Sequence, residues 1–325
     1  MRVSGVPGTR VVVVGGGAMG KSLAEAYGSF PGVVVGEELD PGNPPDVVEA
    51  CSPGQSRVER AEAAFAGGTR FVSVLSPVAP DLEAVDHLAK VAMAAASAGA
   101  HFRALNPLLH EPALTRAKKL VDGGVVGEVV GVHAMNGVRV AQDAPTGVSL
   151  DEFVARSLSC LSWLLGERLE SCFGNVAEGE GALSVHATFK FAKSRRCRVQ
   201  RHYGTLELHA GPGYSALSHA PLLELNGTHG VLWVNPPGGD GLPVGPASPT
   251  PFPPLVAFRE GRVDIFPVGS SPGWASEAAR EALASLERRP EGDLGSRFLE
   301  WATYEARLAQ AWRRVVEGGV EVELR

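Results

Sequence analysis

The chain has 325 residues, of which 44% are hydrophobic and 20% are charged, so it is long enough for two domains that each bury a core. Its 30 basic and 36 acidic residues give a net charge of -6, which argues against a general binder of nucleic-acid backbones. No apolar run approaches the roughly 20 residues that a membrane span needs, and the first residues lack the zones of a signal peptide. We therefore expect a cytoplasmic protein with no nucleic-acid or membrane partner.

The first third of the chain alternates short β-rich runs with helical patterns, which is typical of βαβ units and a parallel sheet. The predicted strands cover residues 10–15, 32–37, 46–51, 70–75 and 100–105. The predicted helices begin near Ala18 and, further on, cover residues 56–66 and 81–98. This pattern predicts a doubly wound α/β domain over residues 1–107.

A different pattern begins near residue 110. One predicted helix ends at Val121, a long strand is predicted over 128–140, and a second helix over 151–165. Strand-like runs without long helical patterns then follow at 183–192, 196–209, 221–234 and 255–267. They favour an open, largely antiparallel or mixed sheet. With helices predicted near 274–288 and 296–316, residues 108–325 are expected to form a second α/β domain.

A glycine motif follows the first predicted strand directly. The run Gly15-Gly16-Gly17-Ala18-Met19-Gly20 has the Gly-x-Gly-x-x-Gly spacing and opens a helix. The first glycine permits a tight turn, the second lets the backbone approach a pyrophosphate, and the third lets helix and strand pack closely. We therefore expect NAD or NADP as cofactor, with Gly15, Gly17, Ala18, Met19 and Gly20 at the pyrophosphate.

The end of the second predicted strand carries the acidic residue Glu37, about 20 residues beyond the glycines, where such folds read the ribose. A carboxylate there accepts hydrogen bonds from ribose hydroxyls and repels a 2′-phosphate, so NAD is favoured over NADP. The third strand begins soon afterwards, at residue 46. The helix usually found between these strands is therefore predicted to be short or absent.

Several short segments along most of the chain carry a family resemblance through their order and spacing. They are Asp46-Val-Val-Glu-Ala-Cys-Ser-Pro53, Ala66-Gly-Gly-Thr-Arg-Phe-Val-Ser-Val-Leu-Ser-Pro77, Asn106-Pro107 with the run from Arg116 to Val132, Trp163-Leu-Leu-Gly166, and the run from Val316 to Leu324. Together they resemble the glucose-fructose oxidoreductase, inositol dehydrogenase and MocA (Gfo/Idh/MocA) family, of which the chain looks like a divergent member. The resemblance implies a Rossmann domain joined to an open-sheet α/β domain, with substrate between them. It also implies that Cys51, Ser52 and Pro53 lie beside the cofactor.

Two positions depart from the family's pattern, and both concern proton transfer. Ser76 stands where the family has its lysine, while Arg156 and Ser159 stand where it has its catalytic histidine and aspartate. Oxidation of an alcohol needs a base for the hydroxyl proton, which is typically worth ~10²–10⁴ in rate. Ser76 cannot act as a base unaided, and Arg156 stays protonated, so it is suited to hold an anion or polarise a carbonyl.

One explanation is that another residue carries the proton. His101 and Arg103 share one face of the predicted strand 100–105, while His110 and Asp143 lie in or near segments expected at the crevice. We take His101 as the candidate replacement base, and name it with Ser76 and Arg156 as the candidate catalytic residues.

Two further explanations remain open. The stretches Val-Glu-Ala-Cys-Ser and Ser73-Val-Leu-Ser76 also resemble aspartate-dehydrogenase-type enzymes, in which an iminium accepts hydride without a dedicated acid. Alternatively, the chain is a sensor that binds the dinucleotide without catalysis. Our first expectation is an NAD(P)-dependent oxidoreductase acting on a small polar substrate, such as a sugar, a polyol or a related carbonyl compound.

The remaining patterns concern metals and assembly. No metal site is predicted, because the cysteines are scattered and no histidine lies near them at zinc-ligand spacing. The apolar stretch 221–234 of the open sheet favours burial against a second subunit, so we expect a homodimer or homotetramer. The Pro- and Gly-rich run 235–254 is predicted to be a solvated loop.

Overall fold

The computed structural model describes most of the chain: residues 8–15, 17–40, 42–52, 54–139, 150–179, 182–192, 202–211, 223–235, 253–268, 273–287, 294–318 and 322–324. The chain folds into two compact units. Unit 1 comprises Met1–Pro107 and Pro272–Ala309, and unit 2 comprises Leu108–Ser271 and Gln310–Arg325.

Unit 1 is built on a parallel sheet of five strands in the order β2-β1-β3-β4-β5. The strands are β1 (Thr9–Val14), β2 (Val33–Gly36), β3 (Val47–Ala50), β4 (Phe71–Leu75) and β5 (His101–Leu105). Three helices alternate with them: α1 (Ala18–Gly28), α2 (Gln55–Ala66) and α3 (Leu82–Ser97). Every residue of β3 and β4 is buried, as expected of strands covered on both faces. The predicted doubly wound fold is confirmed.

The connection between β2 and β3 is short. No helix occurs between Gly36 and Val47 in the described part of this connection, as the spacing predicted. The backbone N–H of Gly42 instead donates to the Asp40 carboxylate at 2.9 Å. The backbone N–H of Asp46 donates to the carbonyl of Arg10 at 2.8 Å, which leads the chain into β3 beside β1.

Unit 2 contains a mixed sheet of nine strands in the order β13-β12-β11-β10-β6-β9-β8-β7-β14. Its elements are α4 (Pro112–Asp122), β6 (Val129–Arg139), α5 (Leu150–Leu165), β7 (Leu169–Gly179), β8 (Ala182–Phe191), β9 (Tyr203–Gly211), β10 (Leu223–Gly227), β11 (Gly230–Val234), β12 (Leu255–Arg259), β13 (Arg262–Ile265) and β14 (Val322–Glu323). The β6–β9 pair is parallel, and the other described pairs are antiparallel. The predicted open, largely antiparallel sheet is confirmed.

Two of the predicted strand runs are hairpins. The run 221–234 contains β10 and β11, and the run 255–267 contains β12 and β13. Glu260 and Gly261 connect the second hairpin at positive φ, 47° and 73°. The loop predicted at 235–254 falls largely on residues 236–252, which lie outside the described residues.

The last two helices, α6 (Trp274–Ser285) and α7 (Leu294–Gly318), differ from the sequence-based domain assignment. The sequence placed both in the second domain, whereas in the structure α6 and the first part of α7 belong to unit 1. The physical reason is packing: Ala302 and Ala306 of α7 belong to one buried cluster with residues of α2 and α3.

None of the described helices is long and apolar enough to cross a membrane.

Candidate functional site

The carboxyl ends of β1 and β3 meet at the point where the strand order reverses. The chain passes from β1 to β2 on one side and then returns to place β3 on the other side of β1. The register pairs Val14 with Ala50, so the residues after both strands emerge side by side. In open α/β sheets, ligands bind in the crevice at this switch point.

Two glycines of the turn after β1 are required by packing inside the protein. Gly15 has φ 122°, and a Cβ added there would lie 2.7 Å from both the carbonyl carbon of Cys51 and the backbone nitrogen of Ser52. A Cβ added at Gly20 would lie 2.0 Å from the carbonyl oxygen of Gly15. The turn therefore lies directly against the end of β3, and α1 directly against the turn.

Gly17 is different, because nothing inside the described protein requires a glycine there. Its φ of -70° and ψ of 172° suit any residue, and an added Cβ would meet no atom within 4 Å. It is the N-cap of α1 and offers no side-chain cap, although serine, asparagine or aspartate would stabilise that position. Open space therefore lies over the amino end of α1, where main-chain N–H groups and the helix dipole favour an anion.

The other predicted cofactor residues lie around this turn. The backbone N–H of Cys51 donates to the carbonyl of Val14 at 2.8 Å, and Ser52 is buried beside it. Glu37 is exposed and directly follows β2, whose last residue pairs with Val12 of β1. Pro53 and Gly16 lie outside the described residues. The cofactor roles assigned to all these residues remain predictions.

Ser76, the candidate catalytic serine, directly follows β4 and is completely buried. Its hydroxyl donates to the Glu305 carboxyl at 2.5 Å, and its backbone N–H donates to the carbonyl of Leu105 at 2.9 Å. Glu305 lies on α7 and is also completely buried. The predicted serine therefore has a buried acidic partner that sequence reasoning missed.

A buried arginine joins the turns that follow β3 and β4. The Nε of Arg57 donates to the carbonyl of Ser52 at 2.8 Å. Its Nη1 donates to the carbonyl of Pro77. Sequence reasoning missed Arg57 as well, although a charged residue on the same helix face as Val58 and Ala61 was a signal for buried partners.

His101 does not lie where the sequence analysis expected a replacement base. It is the first residue of β5 and pairs with Phe71, the first residue of β4. The carboxyl ends of the strands carry the glycine turn, so His101 lies at the opposite edge of the sheet. Its ring is buried and stacks on that of Phe71, with the ring centroids 6.2 Å apart. This placement corrects the expectation that His101 faces the cofactor crevice.

Arg103, on the same strand face as His101, belongs to a largely buried network that reaches from β5 to β3. Its Nη2 donates to the Glu49 carboxylate at 2.9 Å, and its Nη1 donates to the carbonyl of Ala278 on α6 at 2.8 Å. The Tyr27 hydroxyl donates to the same Glu49 oxygen at 2.6 Å. Burial, together with the Glu49 charge, raises the pKa of Tyr27 well above its usual value. This network joins α1, α6 and the sheet.

Arg156, the third candidate catalytic residue, lies on α5 in unit 2 and is buried. Its Nη2 donates to the Glu152 carboxylate at 3.2 Å, and its Nε donates to the carbonyl of Glu152, also at 3.2 Å. Ser159, one turn further along the helix, is completely buried. The catalytic role of Arg156 remains a prediction. Asp143 lies outside the described residues, and His110 is half-buried.

Within the described residues, no group of three or more His, Cys, Asp or Glu side chains could hold a metal ion. Burial raises the pKa values of the Cys160 and Cys172 thiols to about 12. Those two thiols are therefore poor nucleophiles. Cys51, beside the glycine turn, is partly exposed.

No protein-family model matches the chain, and no curated protein matches it. Solved structures do share its fold. A levoglucosan dehydrogenase in complex with NADH and levoglucosan is similar with a TM-score of 0.69 at 14% identity, over 97% of this chain and 99% of that one. Myo-inositol 2-dehydrogenase from Lactobacillus plantarum gives a TM-score of 0.68 at 16% identity, over 98% and 100% of the two chains.

An NAD binding oxidoreductase from Klebsiella pneumoniae gives a TM-score of 0.69 at 17% identity, over 97% of this chain and 98% of that one. Identities this low establish the fold alone. The fold shared with these solved structures is a parallel sheet with helices followed by a mixed, mostly antiparallel sheet.

Proposed function

We propose that the chain is an NAD(P)-dependent oxidoreductase that transfers hydride between a nicotinamide and a small polar substrate, such as a sugar, a polyol or a related carbonyl compound. The observation that carries this proposal is Gly17. Its backbone geometry and its surroundings both tolerate a side chain, so the glycine is explained by a ligand that must approach the main chain.

The residues around the switch point fit a dinucleotide. The main chain from Gly15 to Gly20 would hold the diphosphate at the amino end of α1. The turn at Cys51 and Ser52 would form the neighbouring wall, because Gly15 packs against it. When bound, the nicotinamide accepts or releases the hydride.

Glu37 supports NAD over NADP. It is exposed and directly follows β2, beside the strand that carries the glycine turn. A carboxylate in this place accepts hydrogen bonds from the ribose hydroxyls and repels an added phosphate. We therefore expect NADH to bind more tightly than NADPH.

The similar structures support the substrate class. One was solved with NADH and levoglucosan, and another is named as a myo-inositol 2-dehydrogenase. Levoglucosan and myo-inositol are both small polyhydroxylated compounds. Their fold is shared along nearly the whole chain, so a polyhydroxylated substrate is the first class to assay.

A non-catalytic dinucleotide-binding protein is the second candidate, because two of the nominated proton carriers are engaged elsewhere. The Ser76 hydroxyl donates to a buried carboxyl, and His101 lies at the opposite edge of the sheet. Turnover separates the two candidates. With sugars or polyols present, an enzyme changes the absorbance of the nicotinamide. A sensor binds the dinucleotide, but the absorbance stays the same.

The decisive experiment compares Gly17→Ala with Gly28→Ala. Both glycines flank or end the same helix, and an added Cβ meets nothing within 4 Å at either position. We expect only small changes in melting temperature: a slight loss in Gly17→Ala, because alanine is a poorer N-cap than glycine, and no change or a slight gain in Gly28→Ala, because alanine is the better helix former. Gly17→Ala alone should weaken NADH binding by about tenfold or more, a change of about 1.4 kcal/mol.

A thermal-shift series with NAD, NADH, NADP and NADPH provides the binding measurement. Ligand at about 100 times its dissociation constant should stabilise the wild type by about 2.7 kcal/mol. Absence of a shift with all four dinucleotides would overturn the proposal. Equal NADH affinities of Gly17→Ala and Gly28→Ala would contradict the interpretation of Gly17 on which the proposal rests.

A further inference from the structure

Glu305 is a buried carboxyl group whose position demands an explanation. It is completely buried on α7, and its Oε2 accepts the Ser76 hydroxyl at 2.5 Å. Removing a carboxyl group from water is costly, and apolar residues of the same size often stabilise a core better. Neighbours such as Ala302 and Ala306 on α7 are apolar and pack into the core. The presence of a carboxyl group among these apolar residues is explained if Glu305 holds a neighbouring segment in place through its hydrogen bond with Ser76.

The group that it holds is the turn after β4. Ser76 begins this turn, and Val78 and Ala79 follow as buried members of the same core cluster as α7. The carbonyl of Pro77, which lies between Ser76 and Val78, accepts a hydrogen bond from Arg57. Glu305 therefore holds Ser76, and the next residue, Pro77, contacts the buried guanidinium of Arg57.

Arg57 extends this contact to the proposed dinucleotide site. Its Nε donates to the carbonyl of Ser52, in the turn after β3. The backbone of that turn is what Gly15 packs against, within 2.7 Å of where a Cβ would be. A continuous series of contacts thus runs from Glu305 through Ser76, Pro77 and Arg57 to the wall of the glycine turn.

We propose that Glu305 is a positioning residue for the dinucleotide site: it holds the turn after β4 through Ser76, and Arg57 passes that constraint to the turn after β3. This inference rests on the proposed function. Without the Ser76 contact, the turns become freer in the unliganded protein, and binding must then order them. Dinucleotide affinity falls as a result, while the glycine turn itself is unchanged.

A matched pair of variants isolates this effect. Ser76→Ala and Tyr27→Phe each remove one hydroxyl that donates to a buried carboxyl group in unit 1, at 2.5 Å and 2.6 Å. We expect similar losses of melting temperature. Only Ser76→Ala should raise the NADH dissociation constant, by about tenfold, and Ser76→Thr, which keeps a hydroxyl, should restore it.

Amide hydrogen exchange of the unliganded protein gives a readout that does not depend on the cofactor. Ser76→Ala and Glu305→Met, which both remove the hydrogen bond between the two side chains, should speed exchange in segments 51–57 and 76–79, whereas Tyr27→Phe should leave these segments protected. Unchanged exchange in Ser76→Ala would overturn the inference, even if Glu305→Met proved too unstable to purify.

The binding data separate this inference from the proposed function. A wild type that binds none of the four dinucleotides overturns both. A wild type that binds NADH, with equal affinities in Ser76→Ala and Tyr27→Phe, overturns the positioning role of Glu305 alone.

Discussion

The two sheets of the molecule bury their strands in different ways. In the parallel sheet of unit 1, β3 and β4 are buried at every residue. In the mixed sheet of unit 2, buried and less buried residues alternate along β8 and β9. Helices cover both faces of the first sheet, so a ligand binds where its strands end. In the described part of the second sheet, by contrast, β8 and β9 expose side chains on one face.

The same difference governs the polar side chains. Inside the first sheet, Glu49 is completely buried and Arg103 has only 10% of its side chain exposed, so they pair with each other and with a neighbouring helix. On the second sheet, Arg259 and Asp264 pair at 2.6 Å on its outer strands while remaining partly exposed. Similar ion pairs in the two sheets are therefore expected to differ greatly in the stability that is lost when each is broken.

The largest effect is expected from Arg103→Met. This change leaves the buried Glu49 carboxylate without its cation and removes the bond to the carbonyl of Ala278 on α6. Breaking one side of a buried pair costs roughly 3–5 kcal/mol. Denaturant unfolding should show a loss of this size in the free energy of unfolding.

Arg259→Met is the matched control in the second sheet. Its pair with Asp264 is shorter but partly exposed, so the loss should stay within about 1 kcal/mol. The double variant Glu49→Leu/Arg103→Met should recover part of the stability lost in Arg103→Met, because it removes both buried charges. Equal losses in Arg103→Met and Arg259→Met would contradict the contrast between the sheets.

The next largest effect depends on pH and concerns Glu111, at the start of α4 in unit 2. Burial raises its pKa to about 7, although a hydrogen bond from the backbone of Ala113 opposes the shift. The folded protein therefore holds this proton more tightly than the unfolded chain. The resulting stability is fully present below the unfolded pKa and is lost as the pH rises to about 7.

Glu111→Gln should remove that dependence. Between about pH 4.5 and pH 7, the wild type should lose at most about 3 kcal/mol relative to the variant, measured by urea unfolding at several pH values. Glu59→Gln, at an exposed carboxyl on α2, serves as the control. Parallel stability curves for Glu111→Gln and the wild type would contradict the prediction.

Local signals in the sequence were enough to predict the parallel sheet and its glycine turn. Gly15, Gly17 and Gly20 lie within six consecutive residues, and the apolar runs mark each strand separately. The edge position of His101 was also available, because the first residue of a parallel strand lies at the amino end of the sheet. The strand face that His101 shares with Arg103 does not reveal this position, because only the strand direction determines it.

The buried partners of the site could not be predicted in this way. Ser76 and Glu305 lie 229 residues apart, and Arg103 and Ala278 lie 175 residues apart. No local period connects positions so distant in the chain. The return of α6 and part of α7 to unit 1 has the same origin, since an apolar helix face indicates burial without indicating its partner.

The smallest change in stability is expected at the outer strands of the second sheet, where the predicted homodimer or homotetramer can be tested. Val263 and Ile265 are each 61% exposed on β13, and their cross-strand neighbours include Phe258. Phe258 packs against Trp233, with ring centroids 4.7 Å apart, on the same face. An apolar group of this kind favours contact with a second copy of the chain.

Val263→Glu combined with Ile265→Glu should therefore shift the protein to monomer in sedimentation equilibrium, because each added charge would have to be buried in the interface. The stability of the separated protomer should change within about 0.5 kcal/mol per substitution, since both side chains are exposed. Val34→Glu is the control, because Val34 is equally exposed, at 61%, on the outer strand of the first sheet. If the double variant and Val34→Glu keep the same oligomeric mass, this part of the open sheet is not the contact between subunits. The expectation that the second sheet uses its face to bind a partner subunit would then be wrong.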